Sequence, residues 1–277
     1  MLEGWGKKQE QDSMSMRNKE ELMGQVIFQK ENHIAILSVD RPEALNALSR
    51  EIVDEMDAFI EDVSQDNSIY VLVLYSEKNF AAGADIKAMV ECDEQAAKEF
   101  VFSPTYNKIA DLEIPVIAAI EGFALGGGLE LALTADIRIA GENAKVGFPE
   151  VTLGIMPGAG GTIRGPKIIG YAYASELIFS GEIITAAKAK DIGLVNRVVP
   201  DDQVLEETMK LAGCIARRGP IAVRTAKKTI RSGLEEPDVN EAIAIEEKNW
   251  VALFRTEDQK EGMEAFIEKR KPIYKNR

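Results

Sequence analysis

Short apolar runs that alternate with helical or glycine-rich segments constrain the fold of this chain more than any other feature. The run IAILSV at Ile34–Val39 is followed by a segment that opens at Ser49 and places apolar residues at helical spacing. Two further runs, at 70–75 and 115–120, lead into glycine-containing turns and helix-like stretches. Repeated strand-then-helix units of this kind predict an α/β fold with mostly buried strands.

The pattern divides the chain into three parts. Residues 1–24 mix acidic and basic side chains and lack the apolar segment of a secretory signal, so we predict a polar N-terminal tail. Residues 25–216 carry the strand-like runs, the last at 194–199, and form the predicted core. Residues 217–277 contain only helical patterns, including a capping-box pattern at Thr256 and Gln259. The apolar faces of these helices need a partner, either the core or another subunit.

Charge and cysteine content exclude several classes of protein. The 46 Asp and Glu residues outnumber the 33 Lys and Arg residues, and the net charge of -13 disfavours binding to nucleic acid or to anionic membranes. The least charged stretch, 114–137, is interrupted by acids, so no membrane span is predicted. Cys92 and Cys214 form no CxxC motif, which favours a reducing, cytoplasmic location.

The segment GFALGGGLELALTAD places consecutive glycines, 126–128, after a buried strand and at the start of a helix. Free backbone N–H groups and the helix dipole attract negative charge at such a position, so we expect an anionic group, or one that becomes anionic, to bind there. The glycines also fit a close contact between strand and helix, or a distant form of the dinucleotide fingerprint. The motif alone does not decide between these interpretations.

Two glutamates lie in apolar, glycine-rich surroundings. Glu130 falls about one helical turn after Gly127, on the same side as a backbone donor, and Glu150 follows in GFPEVTLGIMPGAGG. Either acid could instead be structural, Glu130 by offsetting the helix dipole and Glu150 as a cap or in a buried ion pair. A second small-residue turn, FAAGADIKAM at 80–89, lets a ligand approach the main chain closely, unless it is a plain tight turn.

No other catalytic set competes with these residues in the sequence. The single histidine, His33, excludes histidine-based triads and histidine metal sites, and the GxSxG and Walker P-loop motifs are absent. We therefore expect chemistry that uses carboxylates and main-chain donors, without a metal.

Three segments resemble the crotonase superfamily, which comprises the enoyl-CoA hydratases and isomerases. They are FAAGADIKAM, the long stretch from IPVIAAIEGF to GIMPGAGGT, and EGMEAFIEKRKP, and the resemblance spans about residues 26–272. It implies a spiral of repeated ββα units with a helical C-terminal trimerisation region. It also implies an acyl-CoA thioester substrate, no separate cofactor, and a homotrimer or a homohexamer built as a dimer of trimers.

The resemblance also implies roles for individual positions. The backbone N–H groups of Ala84 and Gly127 correspond to the oxyanion hole, and Glu130 and Glu150 correspond to the catalytic pair. The implied contacts with substrate and CoA are Ala82, Ala84, Asp85, Ile86, Lys87, Gly127 and Lys269. Glu43 departs from the pattern, because many relatives carry a basic residue there, near the CoA phosphates.

Both acids of the pair are present, which favours the hydratase branch of the family: reversible syn addition of water to a trans-2-enoyl-CoA, giving a 3-hydroxyacyl-CoA. One alternative is a sister activity, such as an enoyl-CoA isomerase or a hydratase of a branched, cyclic or carnitinyl acyl-CoA. A second is a dinucleotide enzyme, although no acid ends a second strand about 20 residues after the glycines. A third is a non-catalytic scaffold or RNA-binding protein, which the negative charge disfavours.

Overall fold

The computed structural model describes residues 20–23 and 25–277, which form two sheets and a set of surrounding helices. The strands of this part of the chain are β1 (Glu20–Met23), β2 (Val26–Glu31), β3 (Ile34–Val39), β4 (Val71–Tyr75), β5 (Val116–Ile120), β6 (Phe123–Leu125), β7 (Ile137–Gly141), β8 (Lys145–Gly147), β9 (Ile183–Thr185) and β10 (Arg197–Val199). The helices are α1 (Arg50–Gln65), α2 (Ile86–Met89), α3 (Ser103–Asp111), α4 (Gly127–Ala132), α5 (Gly161–Ser180), α6 (Ala186–Asp191), α7 (Val204–Ala216), α8 (Pro220–Glu235), α9 (Val239–Leu253) and α10 (Glu257–Ile267).

The larger sheet has seven strands in the order β1-β2-β3-β4-β5-β7-β10, and β6, β8 and β9 form a second sheet. β1, β2 and β3 pair antiparallel, while β3, β4, β5, β7 and β10 run parallel. After β5 the chain leaves the large sheet, adds β6 to the small one and returns through α4 to β7. It leaves again after β7, adds β8 and β9, and returns at β10. The α/β fold that the strand-and-helix pattern predicts, and the spiral that the family resemblance implies, are confirmed.

Both faces of the large sheet are buried, which explains why its central strands are apolar throughout. In β4, Leu72 and Leu74 point into a core shared with α1 and α3. The alternate residues Val71 and Val73 face a second core, which α7 covers. The strand thus needs apolar residues at every position and does not alternate with polar ones.

The first helix begins where the sequence predicts. The side chain of Ser49 accepts a hydrogen bond from the N–H of Ile52 at 3.4 Å and so caps α1. The positions with helical spacing are the ones that α1 buries: Ile52, Val53, Met56, Phe59, Ile60 and Val63.

The C-terminal helices attach to the core partly through a buried cation. Lys227 of α8 donates from Nζ to the carbonyl of Ile114 and pairs with Asp136, both at 2.8 Å. α9 packs on α8, and none of its residues is buried. The proposed boundary between 216 and 217 coincides with the end of α7, and it stays a prediction.

The last helix forms half of the predicted capping box. The Oγ1 atom of Thr256 accepts a hydrogen bond from the N–H of Gln259 at 3.1 Å. The side chain of Gln259 donates to the sulfur of Met263 and does not return to the cap. After α10 the chain folds back, and the N–H groups of Lys275 and Asn276 donate to the carboxylate of Asp258.

The sheet begins earlier in the chain than predicted. Glu20–Met23, which the sequence pattern placed in the polar tail, pairs with β2. The letters EELM give no strand signal, because main-chain hydrogen bonds to the neighbouring strand define β1 rather than an apolar pattern. The rest of the predicted tail, residues 1–19 and 24, lies outside the described residues. Within the described part, no helix combines the length and apolar content that a bilayer crossing requires.

Candidate active site

The two turns singled out in the sequence lie side by side. Ala81 lies at the start of the FAAGADIKAM turn at 80–89, which comes first along the chain and is called the first turn below. It donates to the carbonyl of Phe123 at 2.9 Å, and its own carbonyl accepts from the N–H of Leu125 at 3.1 Å. This isolated parallel bridge joins the first turn to β6, the strand that leads into the glycine triplet. Main-chain hydrogen bonds therefore hold the turn after β4 against the N-terminus of α4.

The backbone N–H groups of Ala84 and Gly127 have no acceptor in the part of the chain that the structure describes. Leu48 donates to the carbonyl of Gly83 at 2.8 Å and accepts from the N–H of Asp85 at 3.0 Å. In this bridge pattern the N–H of Ala84 points away from Leu48. Gly127 is the first residue of α4, so its N–H has no partner within the helix. Neither N–H donates to another group of the described residues.

The two donors are close in space because the glycines permit it. A Cβ atom at Gly127 would lie 3.6 Å from the amide nitrogen of Ala84. A Cβ atom at Gly128 would lie 2.1 Å from the carbonyl oxygen of Ala81, so only glycine lets α4 approach the first turn. The triplet therefore serves strand–helix packing and also presents a free donor, and the two interpretations of the motif are compatible.

Glu130 is buried, and a turn holds its carboxylate in place. Its Oε1 atom accepts hydrogen bonds from the N–H groups of Ala159 at 2.8 Å and Gly161 at 2.7 Å. Burial raises the pKa of Glu130, while these N–H groups and the guanidinium of Arg164 oppose the rise. The carboxylate is thus removed from solvent but supplied with fixed donors and a nearby positive charge.

Glu150 lies on the 3₁₀ turn Pro149–Leu153 and faces the same space as Glu130. Its side chain is buried, and within the described chain nothing bonds to its Oε2 atom. Burial raises the pKa of Glu150 to about 7, and the negative charge of Glu130 contributes to the rise. Two neighbouring carboxyls in different environments are suited to separate acid and base roles.

The donors and the carboxyls face one cavity of about 250 Å³. Its apolar walls come from two stretches of the chain, which contribute Met89, Phe100 and Phe102, and Leu153, Ile155 and Met156. The predicted contacts Ala82 and Ile86 also line it. Among the described residues that line the cavity, the two glutamates are the only charged ones.

Three predicted contacts lie away from this cavity. Asp85 caps α2 by accepting from the N–H of Lys87 at 3.1 Å, and it pairs with Arg41 at 2.8 Å. Arg41 also lies 3.6 Å from Glu43, the residue that departs from the family pattern. Lys87 and Lys269 are exposed, the latter just after the end of α10. Their contact with CoA stays a prediction.

One side chain at the site, Tyr106, is not among the site residues predicted from the sequence. Tyr106 of α3 is fully buried, and its hydroxyl donates to the carbonyl of Gly127 at 2.9 Å. Tyr106 and Ile109 have helical spacing, so the pattern places both in the core. A buried tyrosine hydroxyl needs a polar partner, and this requirement is the one signal that the sequence offers.

The charged groups of the cavity do not make a metal site. Across residues 20–23 and 25–277, no three His, Cys, Asp or Glu side chains are grouped so as to hold a metal ion. His33 stacks on Tyr70 and does not line the cavity. The site therefore offers a ligand two main-chain donors, two carboxyls and an apolar wall.

Comparison with known proteins supports the motif-based resemblance. The model of the family described as enoyl-CoA hydratase/isomerase matches residues 29–277. The chain is 43% identical over 250 residues to a crotonyl-CoA hydratase from Syntrophomonas wolfei. The aligned residues make up 89% of this chain and 96% of that relative. It is 42% identical over 260 residues to a short-chain-enoyl-CoA hydratase from Clostridium acetobutylicum. That alignment covers 92% of this chain and 99% of the relative.

The fold agrees with the sequence comparison. The crystal structure of an enoyl-CoA hydratase from Bacillus anthracis matches with a TM-score of 0.88 at 39% identity, over 91% of this chain and 100% of that chain. The predicted crotonase-type fold is thereby confirmed. The chain belongs to the enoyl-CoA hydratase/isomerase family.

Proposed function

We propose that the protein is an enoyl-CoA hydratase that adds water reversibly to a trans-2-enoyl-CoA and forms a 3-hydroxyacyl-CoA. Two relatives at 42–43% identity are named for this activity. The observation that carries the proposal is a single cavity that joins two free backbone donors to two buried carboxyls.

The N–H groups of Ala84 and Gly127 act as the oxyanion hole in this proposal. When water attacks C3 of the enoyl group, negative charge moves onto the thioester oxygen, and fixed donors stabilise that charge most in the transition state. Both donors belong to main chain that is already held by hydrogen bonds, so little reorganisation is needed during the reaction. In another enzyme, loss of one such donor costs about 3 kcal/mol of transition-state stabilisation.

Glu130 and Glu150 divide the proton transfers. The ionised form of Glu130 is stabilised by two N–H groups. Glu130 accepts a proton from the attacking water while the water oxygen bonds to C3. Glu150, with a pKa of about 7, is partly protonated at neutral pH and delivers a proton to C2. Because the two carboxyls interact, the apparent pKa values of their titration belong to the pair and not to either glutamate alone.

The cavity fits a short acyl group without a terminal carboxylate. Its volume of about 250 Å³ lies below the range of about 300–1,000 Å³ that is typical of ligand pockets, so it holds the acyl end and not the whole acyl-CoA. No lysine, arginine or histidine is among the described residues that line it, so an acyl group that ends in a carboxylate would have no ion-pair partner there. These features favour a crotonyl-like substrate over a dicarboxylic one.

The CoA part of the substrate must then lie outside the cavity. Lys87 and Lys269 are exposed and stay our proposed partners for its phosphates, since a protein of net charge -13 needs local positive groups there. We further propose a cytoplasmic enzyme that needs no cofactor beyond the CoA of its substrate, and a homotrimer or a dimer of trimers.

Hydration of crotonyl-CoA, followed by loss of the enoyl-thioester absorbance, tests the function. We expect Glu130→Gln and Glu150→Gln each to lower kcat by about 100-fold or more, because general acid–base catalysis contributes about that factor, while the melting temperature shows a folded protein. Glu142→Gln, an exposed acid between β7 and β8, is the control and should leave kcat unchanged. Near-normal turnover in either active-site variant would remove that glutamate from the mechanism. Faster conversion of a 3-enoyl-CoA than of crotonyl-CoA would instead indicate an isomerase.

A further inference from the structure

The carboxylate of Glu130 depends on a turn that lies 30 residues further along the chain. The turn precedes α5 and supplies both N–H groups that hold Oε1, from Ala159 and Gly161. No hydrogen bond from α4, the helix that carries Glu130, to this carboxylate occurs among the described residues. The position of the proposed base is therefore only as precise as the position of this turn.

Arg164 of α5 donates two hydrogen bonds to this turn. Its Nη1 atom donates to the carbonyl of Ala159 at 3.1 Å, and its main-chain N–H donates to the carbonyl of Gly160 at 2.7 Å. A Cβ atom at Gly160 would lie 2.1 Å from Nη1, so the guanidinium occupies the space that a side chain there would need. The planar, multidentate guanidinium suits such a contact better than a lysine ammonium does.

The same guanidinium is anchored to α3. Its Nη2 atom donates to Oδ1 of Asn107 at 2.6 Å. Asn107 is the neighbour of Tyr106, whose hydroxyl bonds to Gly127. Arg164 thus connects the turn that holds the proposed base to the helix that supports the proposed oxyanion hole.

The charged and titratable groups around Glu130 oppose one another. Arg164 from α5 favours its ionised form, while the negative charge of Glu130 disfavours ionisation of both Glu150 on the 3₁₀ turn and Tyr106 on α3. The charges of Asp111 on α3 and Arg231 on α8 also act on Arg164, with opposite effects on its pKa. Among the described residues, Arg164 is the one whose positive charge acts on Glu130.

We infer that Arg164 is a positioning residue for the hydration reaction: its guanidinium fixes the turn that holds Glu130, and its charge favours the ionised carboxylate. This inference rests on the proposed function. Arg164 itself does not line the cavity, and it acts on the reaction through the turn of Ala159 and through Glu130.

Three substitutions separate the two parts of this role. Arg164→Gln removes both the positive charge and the multidentate guanidinium. We therefore expect kcat to fall about 100-fold, as for a misplaced catalytic group, with KM nearly unchanged. The acidic limb of the pH profile of kcat should also move to higher pH, because Glu130 ionises less readily without the cation. Arg164→Lys keeps the charge, and Asn107→Ala keeps the whole guanidinium, so both should lower kcat less and leave the acidic limb in place. Lys167→Gln is the matched control on the same helix, because it removes an exposed charge that makes no hydrogen bond to the turn, and it should match the wild type.

Amide hydrogen exchange at Ala159 and Gly161 supplies a readout that needs no activity. We expect faster exchange at both amides in Arg164→Gln and exchange at the wild-type rate in Lys167→Gln. An unshifted acidic limb together with wild-type exchange in Arg164→Gln would overturn the inference. If that variant does not fold, normal kcat in both Arg164→Lys and Asn107→Ala would overturn it instead. If the wild-type protein hydrates no enoyl-CoA, the proposed function fails, and the exchange result still decides whether Arg164 holds the turn.

Discussion

The hydroxyl of Tyr106 joins the proposed oxyanion hole to α3 through one hydrogen bond. Tyr106→Phe keeps the ring in the core but removes that bond, so we expect the free energy of unfolding to fall by about 1 kcal/mol. We also expect kcat for crotonyl-CoA hydration to fall about tenfold with little change in KM, because Gly127 is held less firmly where transition-state charge develops. Tyr171→Phe, on a ring that is 76% exposed, should change neither quantity. A loss of stability with normal kcat would limit Tyr106 to a structural role.

Glu150 makes the stability of the protein depend on pH in a direction opposite to that of most carboxylates. Its pKa is raised by burial to about 7, from 4.5, so folding favours its protonated form. The stabilisation is complete below about pH 4.5 and is lost as the pH rises through about 7. Each pKa unit corresponds to about 1.4 kcal/mol, so the effect is on the order of 3 kcal/mol at pH 8.

Glu150→Gln removes this titration and leaves a neutral side chain of similar size. We therefore expect the variant to melt above the wild type at pH 8 and close to it at pH 5, although it hydrates crotonyl-CoA poorly. Thermal unfolding at both pH values measures the difference. Glu142→Gln, at an exposed position, should show no such dependence on pH. A gap between Glu150→Gln and wild type that is the same at both pH values would contradict the raised pKa.

At the scale of secondary-structure elements, the sequence predicts well where the signals are local. The cap at Ser49 and the glycine triplet at the start of α4 are examples, because a few neighbouring residues determine each geometry. The contacts that complete the site are not local. Tyr106 meets Gly127 across 21 residues, and Arg164 meets Asn107 across 57. Such pairs depend on how the spiral brings distant segments together, and no periodicity encodes them.

The apolar wall of the cavity shows the same limit. Phe100 and Phe102 lie in a stretch without helical or strand periodicity, and short turns place them at the site. The family resemblance identifies the backbone donors and the two acids because it rests on motif positions. It implies nothing specific about the acyl wall, which side chains of the irregular segments determine.

One buried carboxylate helps to hold the C-terminal segment. Asp258, at the start of α10, accepts from the N–H groups of Lys275 at 2.6 Å and Asn276 at 3.0 Å. Asp258→Ala would leave two main-chain donors without their acceptor, at a cost of about 1–3 kcal/mol. We expect a lower melting temperature and faster amide exchange at 275–276, whereas Glu264→Ala, an exposed acid on the same helix, should change neither. Unchanged exchange in Asp258→Ala would show that other contacts hold the segment.

At the scale of the whole molecule, the C-terminal helices expose large apolar side chains that residues 20–23 and 25–277 leave uncovered. Leu234, Val239, Trp250, Phe266 and Ile267 are between 59% and 83% exposed. The amphipathic sequence of these helices predicts that their apolar faces need a partner, and the core does not cover these side chains. Copies of a chain with a net charge of -13 repel one another, so any association must come from apolar burial and should persist at high salt.

We therefore expect size-exclusion chromatography with light-scattering detection to give a mass three or six times the chain mass of 30.4 kDa. Phe266→Glu places a charge on a side chain that is 83% exposed in the single chain, so it should leave the fold of each chain intact and shift the mass towards the monomer. Phe266→Leu keeps the position apolar and should keep the wild-type mass. A monomeric wild type at micromolar concentration would contradict the predicted trimer or hexamer. Equal masses for the Glu and Leu variants would place the contact on another part of the helical surface.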